Sequence, residues 1–314
     1  MSRHPPVRHP IRNRSVSAQA FRVRYLRRSR ELYRRFLEEK PWIAQLYRHF
    51  LELRRGLKIV DVGCGTGDFT RYLVRLCSGP CIAIGVDNKQ QSLRAAEKDT
   101  KREGLSEQIS YKLGDVLSIP IEDDHSDLTC CRTVLMHLQD PQKAVSEMAR
   151  ITKPGGLVAA IEGGRMVSFL DPKDEDYTEL SYEANQAWLR AIQRLEGKEF
   201  KIGERLPTIF QDAGLYEIRS EIHADAWLYC DPRRRLHDIK AQLQFESSLS
   251  KESRTRDRRY LEAGGLSRTR ISQYYKKHDK RVEELLSDDK KLRADTSFYG
   301  ATFVLVTGRK GTLR

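Results

Sequence analysis

No stretch of this 314-residue chain comes near the roughly 20 consecutive apolar residues that a membrane-spanning helix requires; the longest uninterrupted runs are Leu157–Ile161 and Phe303–Val306. A helical membrane span is excluded on that ground, and a water-soluble protein is expected. Cysteine is scarce. Six residues, with Cys130 and Cys131 adjacent and no C-x-x-C pair, match neither a disulfide framework nor a zinc site. A reducing, cytoplasmic compartment is therefore expected. The eight histidines are scattered without ligand spacing, so no metal is expected, and no internal repeat is visible.

Acidic residues are missing from the first 30 positions; Glu31 is the first. Net charge is +13, but it is unevenly laid out: residues 1–55 hold 15 basic and 4 acidic residues, 56–230 hold 21 and 28, and 231–294 hold 18 and 11. An acidic middle is thus flanked by two basic segments. The Arg-rich, acid-poor start has the composition of an organellar targeting segment, yet Arg3-His4-Pro5-Pro6 and His9-Pro10 break the amphipathic helix that such a signal needs. A basic arm over 1–20 is the preferred reading.

Hydrophobic spacing then divides the chain. Leu32, Phe36, Ile43, Leu46, Tyr47, Phe50 and Leu53 recur at intervals near three and four around Pro41, which predicts two amphipathic helices within 21–55. From Gly56 the period changes, and strands are expected at 58–62, 81–87, 109–113, 126–131 and 157–162, with helices between them. Such alternation implies α/β architecture, a doubly wound parallel sheet with its ligand site at the carboxyl ends of the strands. Strand five is expected to follow a turn at Lys153-Pro154-Gly155-Gly156, and past it a helical lid insert is expected at about 166–200, with a helix from Phe169 to Glu196 carrying Tyr177, Tyr182 and Trp188. A core over 56–230 follows, ending in an extended segment at 215–223. Residues 231–294 read as a basic helical insertion, and 295–314 as the last strand and C-terminus. That strand, at 302–308, is the only available partner for 215–223.

The loop after the first strand carries the chemistry. A dinucleotide fingerprint needs glycines at 63, 65 and 68, so that a pyrophosphate can rest against a helix N-terminus; position 68 is Asp. The loop instead runs Gly63-Cys64-Gly65-Thr66-Gly67, preceded by Asp61, which suits a cationic or zwitterionic ligand without phosphate. Asp87, at the end of strand two, stands where a carboxylate accepts from both hydroxyls of a ribose. Asp115 and Val116 follow strand three and offer a side-chain acceptor and a backbone donor for an adenine edge.

With these motifs in order over roughly 56–165, the chain resembles the class I S-adenosylmethionine-dependent methyltransferases, in the small-molecule branch that includes ubiquinone, menaquinone, sterol and glycoside methyltransferases. The resemblance implies a Rossmann-like seven-stranded sheet with S-adenosyl-L-methionine as cofactor. It assigns Gly63, Gly65 and Gly67 to the methionine and ribose part of that cofactor, and Asp61 to supporting the loop and the amino group. Asp87, with Asn88 beside it, holds the ribose; Asp115 and Val116 hold the adenine; and the carbonyl of Arg132 faces the methionine amino group.

A sulfonium is an activated methyl donor, so in-line displacement mainly requires alignment and exclusion of water. A base is needed where the acceptor is a hydroxyl, a protonated amine or an acidic carbon. His137, just past strand four, is the first candidate and Glu162, at the end of strand five, the second, as an acid that orients a base or contacts the acceptor; the competing readings are a helix-start histidine capping backbone groups and an exposed strand-end acid. The expected reaction is methylation of a small organic acceptor. The alternative is action on RNA or a protein, held through Arg233-Arg234-Arg235, Arg254, Arg256, Arg258, Arg259, Lys276 and Lys277 and the arginines of the arm. Against that alternative, no amine-flipping motif follows strand four and no RNA-binding module is recognisable. A non-catalytic cofactor-binding protein is disfavoured, because no motif position is damaged.

Overall fold

The structure, a computed structural model, describes residues 40–164 and 169–311. The basic arm at 1–20 and the helix predicted ahead of Pro41 lie outside the described residues. Two compact units divide the chain at 45/46. Of the first, residues 40–45 are described, and they open helix α1, Pro41–Phe50.

The second unit is built on one sheet. Its strands are β1 (Lys58–Val62), β2 (Ile82–Asp87), β3 (Ile109–Leu113), β4 (Ser126–Arg132), β5 (Thr152–Gly163), β6 (Phe169–Leu170), β7 (Leu215–Leu228) and β8 (Phe298–Lys310). The order across the sheet is β3-β2-β1-β4-β5-β8, with β7 and the two-residue β6 both paired to β8. β1 to β5 run parallel, and β8 is antiparallel to β5, β6 and β7. The seven strands expected from the sequence are present, and β6 adds a short eighth. β8 supplies the partner that β7 lacked, pairing from Leu215↔Lys310 to Leu228↔Phe298.

Helices α2 (Asp68–Leu76), α3 (Gln90–Arg102) and α4 (Pro141–Ile151) connect the parallel strands, as right-handed crossovers require. The continuous burial of Ile59–Val62 and Leu157–Glu162 follows from cover on both faces. On one face Val60, Val62, Cys131, Val158 and Val306 pack with Leu135, Val145, Met148 and Phe210 into a single core.

Two local expectations change. Lys153-Pro154-Gly155-Gly156, read as a turn, lies within β5: Ser126 pairs with Thr152 but Leu128 with Leu157, so the extra residues form a bulge against β4, eased by Gly155 at φ 76°. The helix expected from Phe169 begins only at Glu175 as α5 (Glu175–Glu196), because the Asp174 carboxylate caps it by accepting from the Tyr177 amide at 2.9 Å. After α5 a 3₁₀ turn (Ile202–Arg205) leads into α6 (Leu206–Asp212).

Between β7 and β8 stand α7 (Leu236–Ala263), α8 (Arg268–Ser287) and α9 (Asp289–Arg293). Ion pairs bind this layer to α5, to the segment before it and to the segment ahead of β8: Arg270 to Glu183 at 2.7 Å, Lys277 to Asp174 at 2.6 Å, and Arg281 to Asp171 and Asp295 at 2.5 and 2.6 Å. Arg254 meets Asp279 at 2.7 Å within the layer. Part of the basic excess of this segment is thus met by carboxylates elsewhere in the chain, through Arg270, Lys277 and Arg281. Among the described residues no helix is long and apolar enough to cross a membrane.

Candidate functional site

The carboxyl ends of β1, β2, β4 and β5 converge on the glycine loop. Gly63, Gly65 and Gly67 all have positive φ, at 72°, 55° and 71°, a backbone that only glycine adopts freely. Their surroundings differ. A Cβ on Gly63 would lie 2.5 Å from Cγ2 of Val134, and one on Gly67 would strike the Tyr111 hydroxyl, whereas one on Gly65 would meet nothing within 4 Å. The outer two glycines are therefore set by packing. Gly65 instead leaves a stretch of backbone uncovered.

Asp87 joins that stretch to β2. Its Oδ2 accepts from the Gly65 amide and its Oδ1 from the Lys89 amide, each at 2.9 Å. One acceptor lone pair on each oxygen remains, which matches a vicinal diol placed against the loop. Asp61 lies below, 1% exposed, accepting from the Thr70 hydroxyl at 2.5 Å. Burial pushes its carboxyl up to about 7, with the Thr70 bond opposing, Asp87 adding to the rise and Arg132 opposing it. The end of α2 has no room for a phosphate. Asp68 occupies its first turn, held by the Thr66 hydroxyl and by Arg71, both at 2.7 Å, and Arg71 is itself buried against Glu103 at 3.1 Å. The positive end of the helix is met by a carboxylate of the chain itself.

Beyond β3, Asp115 is exposed and its Oδ1 accepts from the Leu117 amide at 2.9 Å, with Val116 half-buried beside it and Asn88 exposed after β2. Arg132 ends β4. Its carbonyl accepts from the Thr133 hydroxyl at 2.7 Å, and its guanidinium lies 6.0 Å from the Phe69 ring and 5.4 Å from the Phe303 ring.

Glu162 is placed differently from the acceptor-contacting acid considered in the sequence. It is fully buried, its Oε1 accepts from the amides of Val134 and Leu135 at 2.8 Å each, and its Oε2 from Met136 at 3.4 Å. A group with no exposed surface touches no acceptor, so its geometry is that of a support. Burial pushes its carboxyl up to about 7 against those three amides and Arg132. His137 closes the short 3₁₀ turn Leu135–His137; it is exposed, with its ring edge-on to Phe200 at 5.3 Å. Partial desolvation, then Lys198 and Lys89, hold the imidazole below its ordinary value, leaving it neutral at pH 7 and able to accept a proton.

Three features had no legible signal in the sequence. Thr133 sits at φ 53°, an outlier for a β-branched residue. Val134 forms the wall behind Gly63. On the α2 side, the Tyr47 hydroxyl meets His223 Nε2 at 3.2 Å, the His223 ring stacks on Phe303, and the Tyr72 hydroxyl is buried without a hydrogen-bond partner among the described residues. Pairing of β7 with β8 brings His223 beside Phe303, which no linear spacing announces. Among the described residues no three His, Cys, Asp or Glu side chains gather as a metal site would need.

The methyltransferase domain family matches residues 60–160. An uncharacterized methyltransferase of Schizosaccharomyces pombe, C1B3.06c, is 30% identical over 183 residues, covering 57% of this chain and 63% of its own length. The demethylmenaquinone methyltransferase of Bacillus subtilis is 27% identical over 59% of this chain and 81% of its own; the Aspergillus fumigatus sterol 24-C-methyltransferase is 28% identical over 41% and 35%. The chain thus spans between about a third and two-thirds of the length of several curated relatives. In fold it is similar to the YcgJ protein of Bacillus subtilis, with a TM-score of 0.50 at 17% identity over 86% of this chain and 98% of that one. Residues 60–160, about a third of the chain, thus match the methyltransferase domain family.

Proposed function

We propose that this methyltransferase domain transfers a methyl group to an O, N or C atom of a small organic acceptor. The observation that carries the reading is the uncovered Gly65 backbone tied to the Asp87 carboxylate, with Asp115 one strand further along. Gly63, Gly65 and Gly67 would line the methionine and ribose part of S-adenosylmethionine, Asp87 and Asn88 the ribose, and Asp115 and Val116 the adenine. The Arg132 carbonyl would face the methionine amino group and Asp61 would underpin the loop. When bound, the cofactor supplies an electrophilic methyl on a sulfonium. The chain's own residues orient the partners and exclude water. Where the acceptor must lose a proton, neutral His137 at the exposed edge of the site takes it.

The basic insertion supports a small acceptor better than RNA or a protein, since Arg254, Arg270, Lys277 and Arg281 are already joined to carboxylates. Six unpaired cysteines suit a reducing, cytoplasmic compartment. We assign 56–230 to the core, the segment at about 166–200 to its lid, 231–294 to the insertion, and 295–314 to the closing strand; the lid role expected for 21–55 rests largely on residues outside the described ones.

Calorimetry with S-adenosylhomocysteine tests the site. Asp87→Ala should weaken binding about 10- to 100-fold, the worth of one to two charge-assisted hydrogen bonds; unchanged affinity would sink the assignment. Release of S-adenosylhomocysteine in the presence of sterol, quinol, amine and sugar acceptors then identifies the acceptor class. With that acceptor, His137→Gln should lower turnover by about 100-fold if the methylated atom carries a proton.

A further inference from the structure

The chain between β4 and α4 adopts an unfavourable backbone at the place where the site needs most accuracy. Thr133, at φ 53°, sits in the left-handed region, which costs about 1–3 kcal/mol for a non-glycine residue and persists only where the surroundings over-determine it. Its own amide donates to the Ile161 carbonyl on β5 at 2.9 Å. The next three amides, of Val134, Leu135 and Met136, all donate to a single carboxylate, that of Glu162. A 3₁₀ turn begins there, so these are the donors that such a turn leaves unsatisfied.

This arrangement reaches the site in two directions. The Val134 side chain occupies the space where a Gly63 Cβ would stand, so the position of Val134 sets the back wall of the glycine loop. The same turn ends at His137, whose amide donates to the Val134 carbonyl at 3.0 Å. Outward, the Met136 carbonyl accepts from the Glu199 amide at 3.1 Å, which ties the turn to the chain after α5.

We propose that Glu162 is the positioning residue of this site: through the amides of Val134, Leu135 and Met136 it holds the strained Thr133 segment, and so fixes both the wall behind Gly63 and the place of His137. The proposal rests on the methyl-transfer reading for its purpose, but the latch itself is a property of the chain. Because Glu162 Oε1 takes both 2.8 Å bonds and Oε2 only the 3.4 Å one, Gln can keep the two shorter bonds and Ala none. Gly at 133 adopts the left-handed backbone without cost and should lessen the need for the latch.

The test uses the whole chain in four forms: wild type, Glu162→Gln, Glu162→Ala, and Glu162→Ala combined with Thr133→Gly. Two readouts are taken, hydrogen exchange at the amides of 134–136 and calorimetric affinity for S-adenosylhomocysteine. Glu162→Ala should speed exchange by about 100-fold or more and weaken binding by about 10-fold, each hydrogen bond being worth about 1 kcal/mol. Glu162→Gln should recover most of both, and Thr133→Gly should return part of the binding lost in Glu162→Ala. Equal losses in Gln and Ala, or protection and affinity untouched in Ala, would overturn the proposal. Should Glu162→Ala fail to fold, the Gln variant and Thr133→Gly alone still decide it: Gln must preserve protection at 134 and 135, and loss there overturns the latch. Wild type that does not bind S-adenosylhomocysteine refutes the methyl-transfer reading, while the exchange measurement reads the latch independently.

Discussion

The carboxyl end of the parallel sheet and the helical layer of α5, α7 and α8 treat acidic side chains in opposite ways. At the sheet end Asp61 and Glu162 are buried and held by a hydroxyl or by backbone amides, and both are pushed up to about 7. In the layer, Glu183 is held below the ordinary carboxylate range by its hydrogen bond to Arg270. Asp231, in the loop leading into α7, is held by Arg233 at about 2. Cations neutralise the acids of the layer, which makes it a scaffold. At the sheet end a hydroxyl and backbone amides hold the buried acids, and Asp87 keeps acceptor capacity for a ligand.

The contrast is broken most severely at the loop. Gly63→Ala should cost roughly 3 kcal/mol or more, since it adds a Cβ 2.5 Å from Val134 to a positive-φ backbone, and it should abolish S-adenosylhomocysteine binding; urea denaturation and calorimetry check the two effects. Gly65→Ala separates them. With nothing within 4 Å of the new Cβ, it should lose only about 1 kcal/mol of stability and still bind poorly, because the methyl fills the open face.

Arg281→Ala attacks the other region. It leaves the buried carboxylates of Asp171 and Asp295 without the guanidinium that joins them, and should cost about 3 kcal/mol in a thermal melt. S-adenosylhomocysteine affinity should stay within about twofold; a larger change would mean that the two regions are not separate.

Titration sharpens the comparison. For Asp61 and Glu162 the folded-state pKa is raised, so the folded chain binds more protons than the unfolded one between about pH 4 and 7. Their contribution is full at low pH and is lost as pH rises through that window. Glu183 and Asp231 have depressed values, and theirs is lost as pH falls. Glu162→Gln should therefore remove on the order of 3 kcal/mol of the decline between pH 4.5 and 7, measured by denaturant unfolding at several pH values. The smallest effect is expected at His137: being exposed, its change to Gln should alter stability by less than about 0.5 kcal/mol.

Legibility followed the same division. β1 and the second half of β5 were readable because burial on both faces favours apolar residues, as in Ile59–Val60 and Leu157–Ile161. The glycine loop was readable because an αL backbone admits few residue types. Glu162 was read as an acid that orients a base or contacts the acceptor, but its partners were not legible, since the amides that occupy it lie 26 to 28 positions earlier and an amide leaves no mark in the residue names. Thr133 was missed for the opposite reason: its identity argues against the conformation it holds.

By itself the sequence determined the alternation of strands and helices, the phosphate-free glycine loop with Asp61, Asp87 and Asp115 around it, and the placing of the basic excess outside the acidic middle. Those properties are local, set by side-chain period, backbone permissiveness and charge count. Only the tertiary structure decided that the basic insertion joins several of its arginines to carboxylates of the same chain, and that β8 pairs with β5 as well as with β7. It also decided that Glu162 is buried against the amides of Val134, Leu135 and Met136. Each of these depends on contacts between residues far apart in the chain, and their partners are chosen by packing.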